Sequence, residues 1–305
     1  VVGAGWRSGI PSEPTRRSRN SSGHSESSSD RNGGWAAFYQ IGPDHAATYR
    51  DLGLGQFKLG EEARIRLDDF ALEGRERKSL RAAHNHGQRK GLAFEIVPRD
   101  AVPAVLPELR QISTEWLVGK CTGEKGFSLG FFDEGYLRNF PIAIVRTEGQ
   151  TLAFANVLEG PEKEELSVDL MRHRMEAPHG LMDYLLVELM LWGKDAGYRW
   201  FNLGMAPLAG LASGSLAPLW DRAGAFLFQH GEHFYNFEGL RDYKAKFDPV
   251  WSPRYLACPG GLALPFILAD IAALVAGGTI GVVAHGTGPR HGLVTQPSSL
   301  LSRGG

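Results

Sequence analysis

The chain has 305 residues, 43% hydrophobic and 22% charged, a globular composition with room for one large domain or two ordinary ones. Its formal net charge of −1 excludes a global field for nucleic acid or anionic lipid, so any such attraction must come from a local patch. Two cysteines, Cys121 and Cys258, argue against a disulfide scaffold and for a reducing compartment, and the ten histidines form no zinc-ligand pattern.

Residues 1–34 are rich in Ser, Arg and Gly, with almost no apolar content and no period. Such a segment cannot bury enough surface to offset its ordering entropy, so it is expected to be disordered or non-native. No basic start followed by an apolar run marks a signal peptide. Residues 35–41 suit a strand, 44–52 a short helix, and the alternating "EEARIRLDDFAL" a strand. A basic helix follows over 75–91, carrying Arg75, Arg77, Lys78, Arg81, Arg89 and Lys90 against Glu76 alone. "LAFEIVP" reads as a strand, and "AVLPELRQISTEWLVGK" as an amphipathic helix with Leu106, Leu109, Ile112 and Trp116 at helical spacing.

"PIAIVRTEGQTLAFANVLE" predicts a hairpin turning at 147–150, and "ELSVDLMRHR" a third strand. "HGLMDYLLVELMLWGKDAG" is a nearly all-apolar helix stopped by Gly197, and "YRWFNLGMAP" a further strand. This order predicts an α/β (α+β) fold with one sheet covered by helices. The apolar run 262–283 contains Pro265, Asp270 and a glycine pair, so it is expected to be a buried or interface-lying helix rather than a bilayer span. The tail, 285–305, resembles residues 1–34 in composition.

Several polar residues stand out. Asp169 and Arg172 lie in the otherwise apolar strand "SVDLMRHR". Side chains three apart on a regular strand face opposite ways, so a shared site requires a bulge or a strand end between them; a surface pair is the alternative. Asp183 falls in the first turn of the apolar helix, where the helix dipole alone justifies an anion. Glu188, in the middle of that helix, must be paired or reach a wet cleft.

The strand–turn–helix at 166–196 resembles the core unit of the GNAT acetyltransferases. There a glycine-rich turn binds the coenzyme A pyrophosphate. The turn "RMEAPHGLMD" lacks the repeated glycines, so no acetyl-CoA is expected and the acyl group arrives on another carrier. The basic helix points to a polyanionic carrier, against the alternative of a solvated face. In "YNFEGLRDYKAKFDPVW", Arg241, Lys244 and Lys246 form a second basic cluster among aromatics. Such a cluster suits a single-stranded RNA end, or is packed aromatics with snorkelling cations.

The segments "LEGRERKSLR", "EKGFSLGFFD", "VDLMRHRMEAPHGLMDYLLVELMLW", "GYRWFNLGMAPLAGL" and "FYNFEGLRDYKAKFDPVWSPRYLA", within a run from about 35 to 284, resemble the catalytic part of the bacterial phosphatidylglycerol aminoacyltransferases, the multiple-peptide-resistance-factor family. The resemblance implies two tandem GNAT-like lobes joined by the basic helix. The first, truncated lobe would occupy 35–74, the catalytic lobe 92–260 and an apolar helix 261–284. It implies transfer of a lysyl or alanyl group from aminoacyl-tRNA to the glycerol hydroxyl of phosphatidylglycerol, with no cofactor and no metal, which lowers membrane negative charge and gives resistance to cationic antimicrobial peptides. On this reading the residues singled out above, Asp169 and Arg172, are expected at the core of the site, with Glu188 and Asp183 as second choices. Glu124, Lys125, Ser128 and Asn202 would line the pocket. Arg75, Arg77, Lys78, Arg81, Arg89, Lys90, Arg241, Lys244 and Lys246 would hold tRNA or phosphate. The family also carries a many-helix membrane flippase region that this sequence does not show, so a fragment at the cytoplasmic face of the bacterial inner membrane is expected. The alternatives are an inactive fragment that binds tRNA or membrane, and a ligase or GNAT acyltransferase acting on another acceptor.

Overall fold

The structure, a computed structural model, describes residues 2–4, 35–120, 130–210 and 237–275. Among these, nine strands form one mixed sheet: β1 (Val2–Ala4), β2 (Ala37–Ile41), β3 (Gly55–Arg66), β4 (Ala93–Val97), β5 (Ile142–Thr147), β6 (Gln150–Glu159), β7 (Glu165–His173), β8 (Trp200–Pro207) and β9 (Val250–Cys258). Their order across the sheet is β1-β2-β9-β3-β8-β7-β6-β5-β4. The α-helices are α1 (Ala46–Asp51), α2 (Lys78–Arg89), α3 (Val102–Gly119), α4 (Glu134–Leu137), α5 (Leu181–Asp195), α6 (Phe237–Ala245) and α7 (Ala263–Val275). The fold is the mixed α/β arrangement that the sequence predicts.

The β5–β6 hairpin turns through Glu148 and Gly149, both at positive φ (49° and 80°). That is the geometry of a two-residue turn matched to strand twist. The two strands alternate faces. Ile142, Ile144 and Phe154 pack with Leu106, Leu109 and Ile112 of α3. Ala143, Val145, Ala153, Ala155 and Val157 pack with Leu185, Leu186, Leu189 and Met190 of α5. With side chains at period two, α3 and α5 therefore cover opposite faces of the sheet.

α2 is shorter than the predicted basic helix, and Arg75 and Arg77 precede its first turn. It packs on α5 at a close crossing: a Cβ on Gly87 would lie 2.4 Å from the Tyr184 ring. Tyr184 also donates to the carbonyl of Leu92 at 3.0 Å.

β9 is a strand that the sequence does not announce, because Pro253 interrupts it and proline is disfavoured inside a sheet. Pro253 pairs with Glu61 of β3, whereas β2 reaches only Tyr255 and Ala257. On its open side Pro253 lies beyond the end of β2, so its missing N–H costs no ladder bond there. β9 sits between β2 and β3; strand pairing thus joins residues 35–74 to the 92–260 segment in one sheet. α7 lays Leu264, Ile267, Leu268 and Ile271 against Leu59 and Leu256. Among the described residues, no helix is long and apolar enough to cross a membrane.

Candidate active site

β7 and β8 run parallel for three pairs, Glu165–Trp200, Leu166–Phe201 and Ser167–Asn202, and their pairing ends there. Asp169 is the second residue of β7 beyond this fork. Strand ends at such openings are where α/β sheets present groups to ligands.

Immediately past the fork β7 bulges. Val157 of β6 opposes Val168 and Ala155 opposes Met171, so Asn156 alone faces both Asp169 and Leu170. Its side-chain oxygen accepts from the backbone nitrogens of Asp169 (3.2 Å) and Leu170 (2.7 Å). An extra residue in one strand resets the alternation of faces. Leu170 packs in the α3 cluster, Asp169 binds Tyr136 of α4, and Arg172 stacks on Trp116 of α3. Asp169 and Arg172 thus share the α3 face, which a regular strand would have forbidden.

Tyr136 donates from its hydroxyl to Asp169 Oδ2 at 2.7 Å. Burial pushes the Asp169 carboxyl above the usual range, while the Tyr136 hydrogen bond and the Arg172 charge pull it back. The Tyr136 hydroxyl is itself pushed up, by burial first and then by Asp169, so it remains a donor at any working pH. Arg172 is 8% exposed. Its guanidinium lies 4.3 Å from the Trp116 ring centroid and donates to the carbonyl of Met171 at 3.0 Å. Gly130 passes directly over the bulge: a Cβ there would lie 2.6 Å from Leu170 N and 2.9 Å from Asp169 Cγ. The arrangement offers a half-buried carboxylate with raised proton affinity beside a fixed cation, the pairing suited to activating a hydroxyl and stabilising a developing oxyanion.

The other expected site residues are placed differently. Glu188 and Asp183 belong to α5, on the opposite face. Glu188 pairs with His84 of α2 at 3.1 Å, and Asp183 pairs with Lys246 at 3.4 Å. Asn202 lies on β8 beside the fork, but its amide donates to Glu165 (3.0 Å) and its oxygen accepts from Gly204 N (2.7 Å). Arg64 donates to the same Glu165 carboxylate. Glu124, Lys125 and Ser128 lie outside the described residues.

The cations divide into two groups. Arg75, Lys78, Arg89 and Lys90 are exposed. Arg77 is instead held over the Phe70 ring, and Arg81 donates to the carbonyls of Leu72 and Gly74. Both tie down the loop before α2. Arg241 stacks on Trp251 at 4.7 Å and Lys246 on Tyr243 at 4.7 Å. Lys244, expected to grip phosphate, is 6% exposed, and its ammonium donates to the carbonyls of Gly204 (3.0 Å) and Met205 (2.8 Å). Those carbonyls lie beyond the fork, where β7 no longer pairs with β8, and a buried carbonyl needs a partner.

Sequence reasoning placed neither Tyr136, Asn156 and Gly130 nor the helix residue Trp116 in the site. Asn156 left a signal: it is the one amide inside the apolar strand "LAFANVLE". The others left none, since their relation to Asp169 and Arg172 exists only after α3, α4 and β7 pack together.

This site stands in a mixed α/β domain built on one sheet. A model for the C-terminal part of phosphatidylglycerol lysyltransferase matches residues 25–258, and the chain belongs to that family. The match begins ahead of the start expected at 35 and ends before α7. The phosphatidylglycerol lysyltransferase of Bacillus subtilis is 45% identical over 221 residues, which cover 72% of this chain and 26% of that protein. That of Staphylococcus aureus strain COL is 37% identical over 220 residues, with the same 72% and 26% coverage. The chain thus spans about a quarter of the length of these curated relatives. Among solved structures, a C-terminal domain assigned to a lysylphosphatidylglycerol synthetase of Agrobacterium fabrum is 43% identical, with a TM-score of 0.75, over 87% of this chain and 80% of that one. L-PGS from Bacillus licheniformis is 39% identical, with a TM-score of 0.69, over 81% and 74%. FemX shares the fold at 11% identity and a TM-score of 0.53, over 84% and 79%.

Proposed function

We propose that the chain transfers an aminoacyl group, lysyl as in the names of its relatives, from aminoacyl-tRNA to the glycerol hydroxyl of phosphatidylglycerol. The β7 bulge, which sets Asp169 and Arg172 on one face, is the observation that carries this reading. In the reaction, the glycerol oxygen attacks the ester carbonyl and the bond to the tRNA ribose breaks. The hydroxyl proton passes to Asp169 and from there to the departing ribose oxygen. Arg172 stabilises the tetrahedral oxyanion. The ester is already activated, so the step needs no ATP. Exposed Arg75, Lys78, Arg89 and Lys90 track tRNA phosphates. The reaction belongs at the cytoplasmic membrane face, where replacing anionic by cationic headgroups weakens the binding of cationic antimicrobial peptides.

The test is incubation with phosphatidylglycerol vesicles and lysyl-tRNA, reading lysyl lipid by mass. Asp169→Asn is expected to lower the rate about 100-fold or more, the scale of a lost general base, with tRNA binding retained. An unreduced rate removes Asp169 from the mechanism.

A further inference from the structure

We infer that Tyr136 is a positioning residue of the transfer site: its hydroxyl, bound to Asp169 Oδ2, fixes the carboxylate so that its remaining lone pairs meet the acceptor hydroxyl. This deepens the transfer reading and rests on it.

The mounting of Tyr136 supports the role. α4 is a single turn of four residues, and Asp133 at its N-cap accepts from the Tyr136 backbone N–H at 2.6 Å. The ring is stacked on Phe131 (centroids 6.0 Å, interplanar 13°) and meets Phe140 edge-on at 4.9 Å. A phenylalanine would fill that aromatic stack equally well. What the hydroxyl adds is its bond to Asp169, 33 residues away, with the Asn156 side chain also acting on it.

Asp169 is therefore held at both ends. Asn156 fixes its backbone nitrogen from β6, and Tyr136 fixes one carboxylate oxygen from α4. Gly130 leaves no room for the bulge to shift towards it. A general base works only within hydrogen-bond reach of the proton it takes, so a carboxylate locked in one rotamer is worth more than a mobile one. Tyr136 also lowers the proton affinity that burial gives the carboxylate. Among the described residues, the charged or titratable groups acting on Asp169 are Tyr136, from α4, and Arg172, from β7 itself, and both oppose the upward push of burial. With the hydroxyl gone, the carboxylate would take up its proton at higher pH.

The experiment compares Tyr136→Phe with the unaltered protein in two readouts. In lipid aminoacylation across pH, kcat is expected to fall about 10- to 100-fold, the value of a hydrogen bond to a charged group. KM for lysyl-tRNA should hold, and the acidic limb should move to higher pH. In a 13C carboxyl NMR titration, which needs no turnover, the Asp169 midpoint should rise. An unmoved midpoint together with kcat within two-fold of the unaltered protein overturns the inference. A moved midpoint in a protein that forms no lysyl lipid before substitution overturns the transfer reading and leaves the Tyr136–Asp169 coupling standing.

Discussion

The side-chain oxygen of Asn156 sits 2.7 Å from the backbone nitrogen of Leu170, and it also reaches the nitrogen of Asp169 at 3.2 Å. One amide thus substitutes for the ladder partner that a bulge takes away. Asn156→Leu, similar in size, would leave two backbone donors unpaired next to a fully buried position. Each such donor costs about 1–3 kcal/mol. We expect the urea midpoint to fall by a corresponding amount, and transfer to fall further than stability accounts for, because the bulge sets the face of Asp169. Full activity in a destabilised Asn156→Leu protein would show that the bulge does not serve the site.

The α2–α5 crossing makes an opposite prediction from that of helix propensity. Replacing a helical glycine by alanine normally gains about 0.8–1.0 kcal/mol. At Gly87 the new methyl would stand 2.4 Å from the Tyr184 ring, and overpacking of this kind costs about 1–3 kcal/mol. That ring is not free to swing away: it stacks on His84 (5.9 Å, 23°) and its hydroxyl is tied to Leu92. Gly87→Ala is therefore expected to lower the Tm. A raised Tm would show that the two helices can move apart at no cost.

How much of this was legible in the sequence depends on the range of the interaction. The Glu148–Gly149 turn and the apolar stripes of α3 and α5 are local patterns, and each lies where it was predicted. That Asp169 and Arg172 could share a site only through a bulge or a strand end was legible from strand geometry alone. That Asn156 supplies it was not, because the pairing of β6 with β7 is a tertiary fact. Glu188 illustrates the converse. Its mid-helix position demanded a partner or a wet cleft, and only the packing of α2 on α5 shows a partner, His84. Lys244 looked like its neighbours Arg241 and Lys246 in sequence, and burial alone separates it from them.

Charge on α2 divides by the same criterion, and the division is testable. Arg89→Glu with Lys90→Glu alters exposed side chains, where substitutions usually change stability by less than about 0.5 kcal/mol. tRNA binding should weaken, and the slope of log K against log salt should fall by about 0.7–0.9 for each phosphate that is no longer neutralised. Arg81→Ala should do the reverse. It removes two bonds to the loop carbonyls of Leu72 and Gly74, lowering stability by about 1–2 kcal/mol with little change in the salt slope. An unchanged slope in the double variant would take tRNA off this face of the helix.

Lys244 gives a pH dependence with a definite sign. Burial lowers its pKa from 10.5 to about 8, with the nearby Glu62 charge opposing the shift. Between those values the unfolded chain carries a proton that the folded protein has released, so this group makes stability rise as pH rises through the window. The size is roughly 2–4 kcal/mol, from the shift and about 1.4 kcal/mol per pH unit. Lys244→Met removes the titration. It also unpairs the carbonyls of Gly204 and Met205, but that penalty does not vary with pH. The tyrosines that titrate above pH 10 are common to both proteins and cancel in the difference. Urea unfolding at pH 8 and at pH 10.5 should therefore show the stability difference between the two proteins shifting in favour of the unaltered one. Parallel stability profiles would mean that the ammonium is better solvated in the fold than two carbonyl hydrogen bonds allow.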